Sequence, residues 1–335
     1  MSKSEVIDTI LKAIGEYQTF LISSHVNSDG DSIGSQLAFY SFLSELGKMA
    51  YVVNTDPVPA RYKFLPNSNI LKTHTEFNNA ILLSDIEVVI ILDSGSLNRI
   101  GEDLSAQISP ESIIINIDHH SSNEIFGHHN LVDTDACATG ELVFDIIKNA
   151  GVKMGYELAV CLYTAIHTDT GGFKFTNTTP KTHLITAELI NEGVKPERIN
   201  ELVYDIVPYK KARLFGMSLA TLKISPNSKI AWMSVTNEMY NQTQTKAEDT
   251  EGFIDYVRSL ENVEVALFFR EVEDGNVKVS LRSKNTDQGS FPINVKDIAS
   301  EFGGGGHVFA AGSFIVKPLN EAIEAVLEKV RKAMN

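Results

Sequence analysis

Short apolar runs alternate with helix-like stretches through the first half of the chain. Four of the runs predict buried strands, namely Phe20–Ser24, Met49–Val53, Glu87–Leu92 and Ser112–Ile117. Three stretches have apolar residues at helical spacing and predict helices, namely Asp31–Leu46, Gly140–Asn149 and Tyr156–Ile166. Strands that alternate with helices are typical of an α/β fold, so we expect a parallel sheet with helices on both faces.

The pattern of apolar and polar residues becomes helical and more charged between Pro180 and about Leu222, and predicted strands return after this stretch. Beyond this stretch, the predicted strands and helices are Ile230–Val235, Val263–Glu271, Val277–Arg282, Val295–Glu301 and Glu321–Met334. This mixture predicts a smaller α+β domain across a cleft from the first. We therefore divide the chain into a domain over residues 1–190, a helical linker over 191–222 and a second domain over 223–335.

The composition is that of a globular protein. The chain has 335 residues, of which 43% are hydrophobic and 21% are charged. No apolar run approaches the roughly 18 residues that a membrane span needs, and the N-terminus lacks the apolar centre of a signal peptide. These features predict a cytoplasmic protein without a membrane partner. Cys137 and Cys161 have apolar or small neighbours, which predicts buried thiols.

The chain is acidic, with a formal net charge of −14. A protein that grips long duplex DNA usually carries a basic face, so this charge argues against such a partner. The charge is compatible with a small anionic substrate, because a bound divalent cation is often the largest local charge in its site.

Acidic and imidazole residues gather directly after the predicted strands. Three strands and one helix run into such residues: His25, Asp29 and Asp31; Asp93; Asp118, His119 and His120; and Asp169. In open parallel sheets, ligands bind beyond the carboxyl ends of the strands. A single aspartate in such a position is more often a helix cap or a turn former. Four segments with the same chemistry at equivalent positions instead predict one shared site.

The residue types indicate a metal site. Imidazole together with carboxylate suits Mn, Fe, Co or Zn, and several neighbouring aspartates need cations to neutralise them. Two metal ions about 3.5–4 Å apart need a shared carboxylate and further ligands on each side. Asp93, alone at a strand end, is the natural bridge. We therefore expect two divalent cations, with manganese as the expected metal and cobalt or magnesium as alternatives.

The order of these residues resembles the motif set of the DHH phosphoesterase family. The matching positions are His25-x-x-x-Asp29-x-Asp31, Asp93, Asp118-His119-His120 and Asp169. Near the C-terminus, Gly303–His307 resembles the glycine–histidine signature of the DHH-associated domain, and Arg282–Lys284 resembles its substrate-contacting segment. The family often has proline and alanine where this chain has Ser28 and Ser32. Neither serine is expected to be a ligand.

Within that family, the length and two-domain arrangement are most similar to the bifunctional oligoribonuclease and pAp phosphatases. The resemblance implies that a metal-bridging hydroxide hydrolyses phosphate esters in very short single-stranded RNA and in adenosine 3′,5′-bisphosphate (pAp). It implies that His25 and Asp29 hold one ion and that Asp93 bridges. The implied ligands of the other ion are Asp31, His119 and Asp169.

The remaining implied roles concern the phosphate and the nucleotide. His120 would donate to the scissile phosphate, and Asp118 would orient His119 without binding metal. Arg99 would either donate to the phosphate as well or form a surface ion pair. The implied substrate-binding residues are Arg282, Ser283, Gly304, Gly305, Gly306 and His307. Tyr209 would either stack on a base or pack within its helix.

Alternative functions on the same scaffold differ in what they require. A phosphodiesterase for cyclic or linear dinucleotides would share every metal ligand, and only nucleotide recognition would separate it. An inorganic pyrophosphatase is disfavoured by the nucleotide-type C-terminal signature, and a RecJ-like exonuclease is disfavoured by the acidic charge. A non-catalytic nucleotide-binding protein would be expected to have lost a ligand, whereas all six are kept. Formation of a homodimer is left open.

Overall fold

The computed structural model describes residues 2–77, 85–272, 275–284 and 293–334. The chain divides into two compact units, Met1–Ile206 and Val207–Asn335. The division lies within the stretch 191–222, for which the sequence predicts a helical linker. Helices that belong to both units fill this stretch.

The first unit is built on a six-stranded parallel sheet with the strand order β3-β2-β1-β4-β5-β6. Its strands are β1 (Thr19–Ser24), β2 (Met49–Asn54), β3 (Lys72–Thr73), β4 (Val88–Leu92), β5 (Ile113–Asp118) and β6 (His129–Val132). The four strands predicted from the sequence form the centre of the sheet, so the α/β fold is confirmed. The edge strands β3 and β6 are too short for an apolar run to reveal them.

Helices cover the sheet because successive strand residues point to opposite faces and both faces are apolar. The helices of this unit are α1 (Lys3–Glu16), α2 (Gly30–Glu45), α3 (His74–Phe77), α4 (Glu102–Ser105), α5 (Thr139–Asn149), α6 (Tyr156–Asp169), α7 (Pro180–Asn191) and α8 (Pro196–Asn200). One face, including Phe20 and Ile90, packs into a large core with α1, α2, α5 and α6. The opposite face, including Leu21 and Ile91, packs into a smaller core.

The contact between α2 and α6 positions the functional residues. Gly34 permits the close approach, because a Cβ at this position would lie 2.5 Å from the backbone oxygen of Cys161. At the start of α2, a Cβ on Gly30 would likewise collide with Thr168 near the end of α6. The N-terminus of α2 therefore lies against the C-terminus of α6, where Asp169 is the last residue.

The second unit is built on a six-stranded mixed sheet with the strand order β11-β12-β10-β9-β8-β7. Its elements are α9 (Tyr209–Leu219), β7 (Lys223–Ile224), β8 (Ile230–Val235), α10 (Asn237–Thr243), α11 (Phe253–Ser259), β9 (Val265–Glu271), β10 (Val277–Ser283), α12 (Val295–Ser300), β11 (Gly305–His307), β12 (Ala310–Ile315) and α13 (Leu319–Ala333). Strands β8 and β9 are parallel, and the other neighbours are antiparallel. The predicted α+β arrangement is confirmed. In the described ranges, no helix is long and apolar enough to cross a membrane.

The glycine run forms part of this second sheet. Gly305–His307, part of the run that is expected to bind substrate, is the edge strand β11 and pairs with β12. A Cβ on Gly304 would lie 2.2 Å from the backbone oxygen of Gly312. The close approach of the two chain segments therefore requires glycine at this position, independently of any ligand.

Candidate metal centre

The candidate residues lie where neighbouring parallel strands end. Strands β1, β4 and β5 are adjacent and end at the same edge of the sheet. His25 directly follows β1, Asp93 directly follows β4, and Asp118 is the last residue of β5. The carboxyl ends of parallel strands form the ligand-binding edge of such sheets, which is why residues so far apart in the chain converge.

Local backbone requirements place two aspartates at the start of α2. Asp29 is the N-cap, and its side chain accepts a hydrogen bond from the Ser32 N–H at 3.0 Å. Asp31 is buried in the first turn, and its carboxylate accepts from the N–H groups of Thr139 at 2.7 Å and Gly140 at 2.9 Å. Those two N–H groups begin α5, where the positive end of the helix dipole favours a negative charge.

The six side chains expected to bind metal form compact groups, one of which also includes His120. Within each group, one possible ligand atom from every residue lies within 4.8 Å of the others. The groups are His25, Asp29 and Asp93; Asp31, His119 and Asp169; and Asp93, His119 and His120. Because the groups share residues, they form one continuous centre. Its mixture of imidazole and carboxylate donors fits divalent transition-metal ions.

Two carboxylates of the centre are difficult to ionise in the absence of a cation. Burial, together with the charge of Asp93 and other nearby aspartates, raises the pKa of Asp31 well above 3.8. Burial also raises the pKa of Asp169 to about 6, although the charge of His119 opposes the shift. Like charges in a dry site disfavour the ionised form. A bound cation would remove this penalty, so the electrostatics of the centre also fit a metal.

Asp93 differs from these two residues and lies between the groups. Burial opposes its ionisation, but contact with His25 and the charges of the surrounding imidazoles outweigh burial and lower its pKa to about 2. Its Oδ2 lies 3.4 Å from Nε2 of His25, and its Oδ1 lies 3.7 Å from Nε2 of His119. Asp93 is therefore an ionised carboxylate with one oxygen near each imidazole.

Asp118 pairs with His120 and not with His119. One oxygen of Asp118 lies 2.7 Å from Nδ1 of His120, and the other accepts a hydrogen bond from Asn123 at 2.6 Å. Nδ1 of His119 instead faces the carbonyl oxygen of Ala136 at 3.3 Å. The prediction that Asp118 orients His119 is wrong, because the carboxylate of Asp118 bonds to the ring of His120 instead. This hydrogen bond raises the pKa of His120 to about 9.

Arg99 and Tyr209, each predicted with two alternative roles, are both exposed. Arg99 lies in a short 3₁₀ turn, Leu97–Ile100, and its carbonyl oxygen accepts a hydrogen bond from the N–H of Val26 at 2.7 Å. Its positive charge lowers the pKa of His120, but the hydrogen bond to Asp118 and the nearby carboxylate charges raise that pKa by more. In the second unit, Tyr209 begins α9 and is 79% exposed.

Three further residues, none of which the sequence predicts to be part of the site, contact these aspartates. The hydroxyl of Ser32 donates to Asp93 at 2.7 Å, and the hydroxyl of Thr139 donates to the other oxygen of Asp93 at 3.2 Å. The amide of Asn177 donates to Asp169 at 3.2 Å. Ser32 had a sequence signal, because it replaces the family's frequent alanine inside a motif. No comparable signal marks Thr139 or Asn177, whose roles depend on how distant segments pack.

The predicted substrate residues of the second unit lie at one end of its sheet. Arg282 on β10 pairs with Ala310 on β12, and Ala310 pairs with His307 on β11. Arg282 and His307 therefore lie in one row across three strands. Ser283 is buried, and its hydroxyl donates to the carbonyl oxygen of Val308 at 3.4 Å. The remaining predicted residues, in or next to β11, are Gly304, Gly305 and Gly306.

Comparisons with known proteins identify the family. The DHH family N-terminal domain matches residues 19–166, and the DHHA1 domain matches residues 227–335.

The bifunctional oligoribonuclease and PAP phosphatase NrnA of Thermus thermophilus is 35% identical over 99% of this chain and 94% of its own length. The protein of the same name from Bacillus subtilis is 26% identical over 91% of this chain and 92% of its own length. The crystal structure of an exopolyphosphatase-related protein from Bacteroides fragilis is 30% identical and superposes with a TM-score of 0.88, covering 98% of this chain and 96% of that one. The chain therefore belongs to the DHH family of phosphoesterases and carries a DHHA1 domain in its second unit.

Proposed function

We propose that this protein is a metal-dependent hydrolase that removes nucleotides from very short RNA and the 3′-phosphate from pAp. The observation that carries the proposal is the convergence of imidazole and carboxylate groups into one continuous centre in the first unit. The activity named for the Thermus thermophilus relative supports the substrate class, because the similarity extends over nearly the whole of both chains.

The centre fits two divalent cations that share Asp93. We assign His25 and Asp29 to one ion, and the remaining ligands, Asp31, His119 and Asp169, to the other. This division is supported by the spatial grouping of the same side chains. Manganese is the metal we propose, because mixed imidazole and carboxylate donors suit it; cobalt and magnesium are the alternatives. When bound, the ions would lower the pKa of a water molecule and polarise a phosphoryl oxygen.

Other residues of the first unit would act on the phosphate directly. His120 has a raised pKa, so its ring is protonated at neutral pH and can donate a hydrogen bond to the scissile phosphate. Asp118 favours that protonated ring through its hydrogen bond. Arg99 would add a second cationic donor, which is supported by the action of its charge on His120. Donors of this kind stabilise the negative charge that develops in the transition state.

The second unit would bind the nucleotide. We propose that Arg282, Ser283 and His307, together with the backbone N–H groups of Gly304–Gly306, contact a second phosphate or the ribose. The row formed by Arg282 and His307 supports a common ligand for these two side chains. Tyr209 is an exposed aromatic that is suited to stacking on a base. Such contacts suit a short single strand or a mononucleotide bisphosphate and not long duplex DNA.

We propose that residues 1–190 carry out catalysis and that residues 223–335 bind the substrate, with a helical linker between them. The division of the chain after Ile206 supports the placement of that linker. A cytoplasmic location stays a prediction from the sequence.

A panel of pAp, RNAs of increasing length and cyclic dinucleotides, assayed with Mn²⁺, Co²⁺ and Mg²⁺, tests the proposed function. We expect metal-dependent turnover of pAp and of the shortest RNAs. The variant Asp93→Ala should lose both activities and bind less metal, whereas the exposed Asp135→Ala, in the same unit, should retain them. A clear preference for cyclic dinucleotides would identify a dinucleotide phosphodiesterase instead. A shift of the melting temperature by pAp without turnover would identify a nucleotide-binding protein.

A further inference from the structure

Two buried hydroxyl groups hold the carboxylate of Asp93 from opposite sides. The hydroxyl of Ser32 donates to Oδ2 at 2.7 Å, and the hydroxyl of Thr139 donates to Oδ1 at 3.2 Å. Both hydroxyl-bearing side chains are completely buried. They come from the first turns of different helices, α2 and α5, so their positions are set by packing and not by the loop that carries Asp93.

The backbone of Asp93 is also constrained. Its φ is +55°, in the left-handed region that residues other than glycine seldom adopt. Its N–H donates to the carbonyl oxygen of Ile117 on the neighbouring strand at 3.0 Å. The backbone hydrogen bond fixes the position of the Asp93 backbone. The hydrogen bonds from the two hydroxyl groups fix the orientation of its carboxylate. A carboxylate that serves two ions must present both oxygens in fixed directions.

The hydroxyl of Ser32 also contacts a second proposed ligand. Its Oγ lies 2.6 Å from Nε2 of His25 as well as 2.7 Å from Oδ2 of Asp93. Ser32 therefore lies between two proposed ligands of the same ion.

We infer that Ser32 and Thr139 are positioning residues that orient Asp93 and thereby strengthen metal binding in this chain. The inference rests on the proposed function only in that the ions it concerns are those of the proposed centre. Hydrogen bonds from outer residues to a ligating carboxylate typically contribute 10- to 100-fold to metal affinity. We therefore expect a loss of about this size when the shorter of the two hydrogen bonds is removed.

The test measures Mn²⁺ binding to chelator-treated protein by isothermal titration calorimetry. Ser32→Ala should weaken binding by about 10- to 100-fold. Thr139→Val removes the other hydroxyl at constant shape and should weaken binding less, because its hydrogen bond is longer. Thr139→Ser keeps the hydroxyl and should bind Mn²⁺ as the unaltered protein does. Ser41→Ala is the matched control on the same helix, because the Ser41 hydroxyl donates to the Leu37 carbonyl and accepts from the amide of Asn67, and neither partner belongs to the candidate centre.

Several results would overturn the inference. Unchanged Mn²⁺ affinity in both Ser32→Ala and Thr139→Val would remove the positioning role. Tighter binding by Ser32→Ala would show that the hydroxyl competes with the cation. An equal loss in Thr139→Ser and Thr139→Val would point to packing of the methyl group. At saturating Mn²⁺, Ser32→Ala should lower kcat for pAp with little change in KM, and the opposite pattern would contradict the inference.

Failure of the proposed function would look different. In that case the unaltered protein would bind Mn²⁺ and respond to these substitutions, yet would release no phosphate from pAp. If Ser32→Ala does not fold, the comparison of Thr139→Val with Thr139→Ser still decides whether a hydroxyl next to Asp93 strengthens metal binding.

Discussion

Replacing Asp169 with asparagine is expected to stabilise the metal-free protein at neutral pH. Burial, with further repulsion from nearby carboxylates, raises the pKa of Asp169 in the folded chain to about 6, compared with an ordinary value of 3.8. A folded-state pKa above the unfolded value adds stability at low pH. That contribution is lost as the pH rises from about 4 through about 6. At neutral pH the folded protein must therefore hold an unfavourable charge.

The size of the effect follows from the two pKa values. The difference between about 6 and 3.8 corresponds to about 3 kcal/mol in the free energy of unfolding once the pH exceeds both values. Asparagine has the shape of aspartate without the charge, and its oxygen can still accept the hydrogen bond from Asn177. Metal-free Asp169→Asn should therefore be more stable than the unaltered protein by up to about 3 kcal/mol near pH 7.5, and by much less near pH 4.

Urea unfolding of chelator-treated protein at several pH values measures this difference. Adding Mn²⁺ should reverse the order, because the variant has lost a proposed ligand. A ligand at 100 times its dissociation constant adds about 2.7 kcal/mol to the protein that binds it. Asp135→Asn, at an exposed position, is the control and should change neither curve. The reasoning is refuted if metal-free Asp169→Asn is less stable at neutral pH, or if its stability depends on pH as strongly as that of the unaltered protein.

Three further predictions concern the phosphate, the nucleotide and the packing. His120→Ala should lower kcat about 100- to 1,000-fold at unchanged metal content, measured by elemental analysis; a large loss of metal would make His120 a ligand. Arg282→Ala should raise KM for pAp more than KM for a simple activated phosphodiester, and equal effects would argue against nucleotide contact. Gly34→Ala should destabilise the protein by about 1–3 kcal/mol in urea unfolding, because its Cβ would overlap the backbone of Cys161. Its control is Gly216→Ala, in a helix with open space around it, which should be neutral or stabilising by up to about 1 kcal/mol.

Local sequence was sufficient for the central elements and for the kind of chemistry. The apolar runs of β1, β4 and β5 and the helical spacing in α2 extend over only a few residues, so each can be recognised without the rest of the chain. The rule that parallel strands end at one edge then brings His25, Asp93 and His119 together. Residue type alone indicates a cation, because several aspartates and imidazoles in one place have few other uses.

Contacts between segments that are distant in sequence depended on the folded chain. The edge strand β11 is made of glycines and a histidine, and it exists because β12 offers a partner. The sequence predicts that Asp118 orients its neighbour His119, but the direction of side chains depends on the backbone path, and in the folded chain Asp118 bonds to His120. The hydrogen bond from Thr139 to Asp93 spans 46 residues. Periodicity and motifs predict structure from residues that are near each other in sequence. The orientation of a metal-binding side chain depends instead on packing against groups that only the complete fold brings close to it.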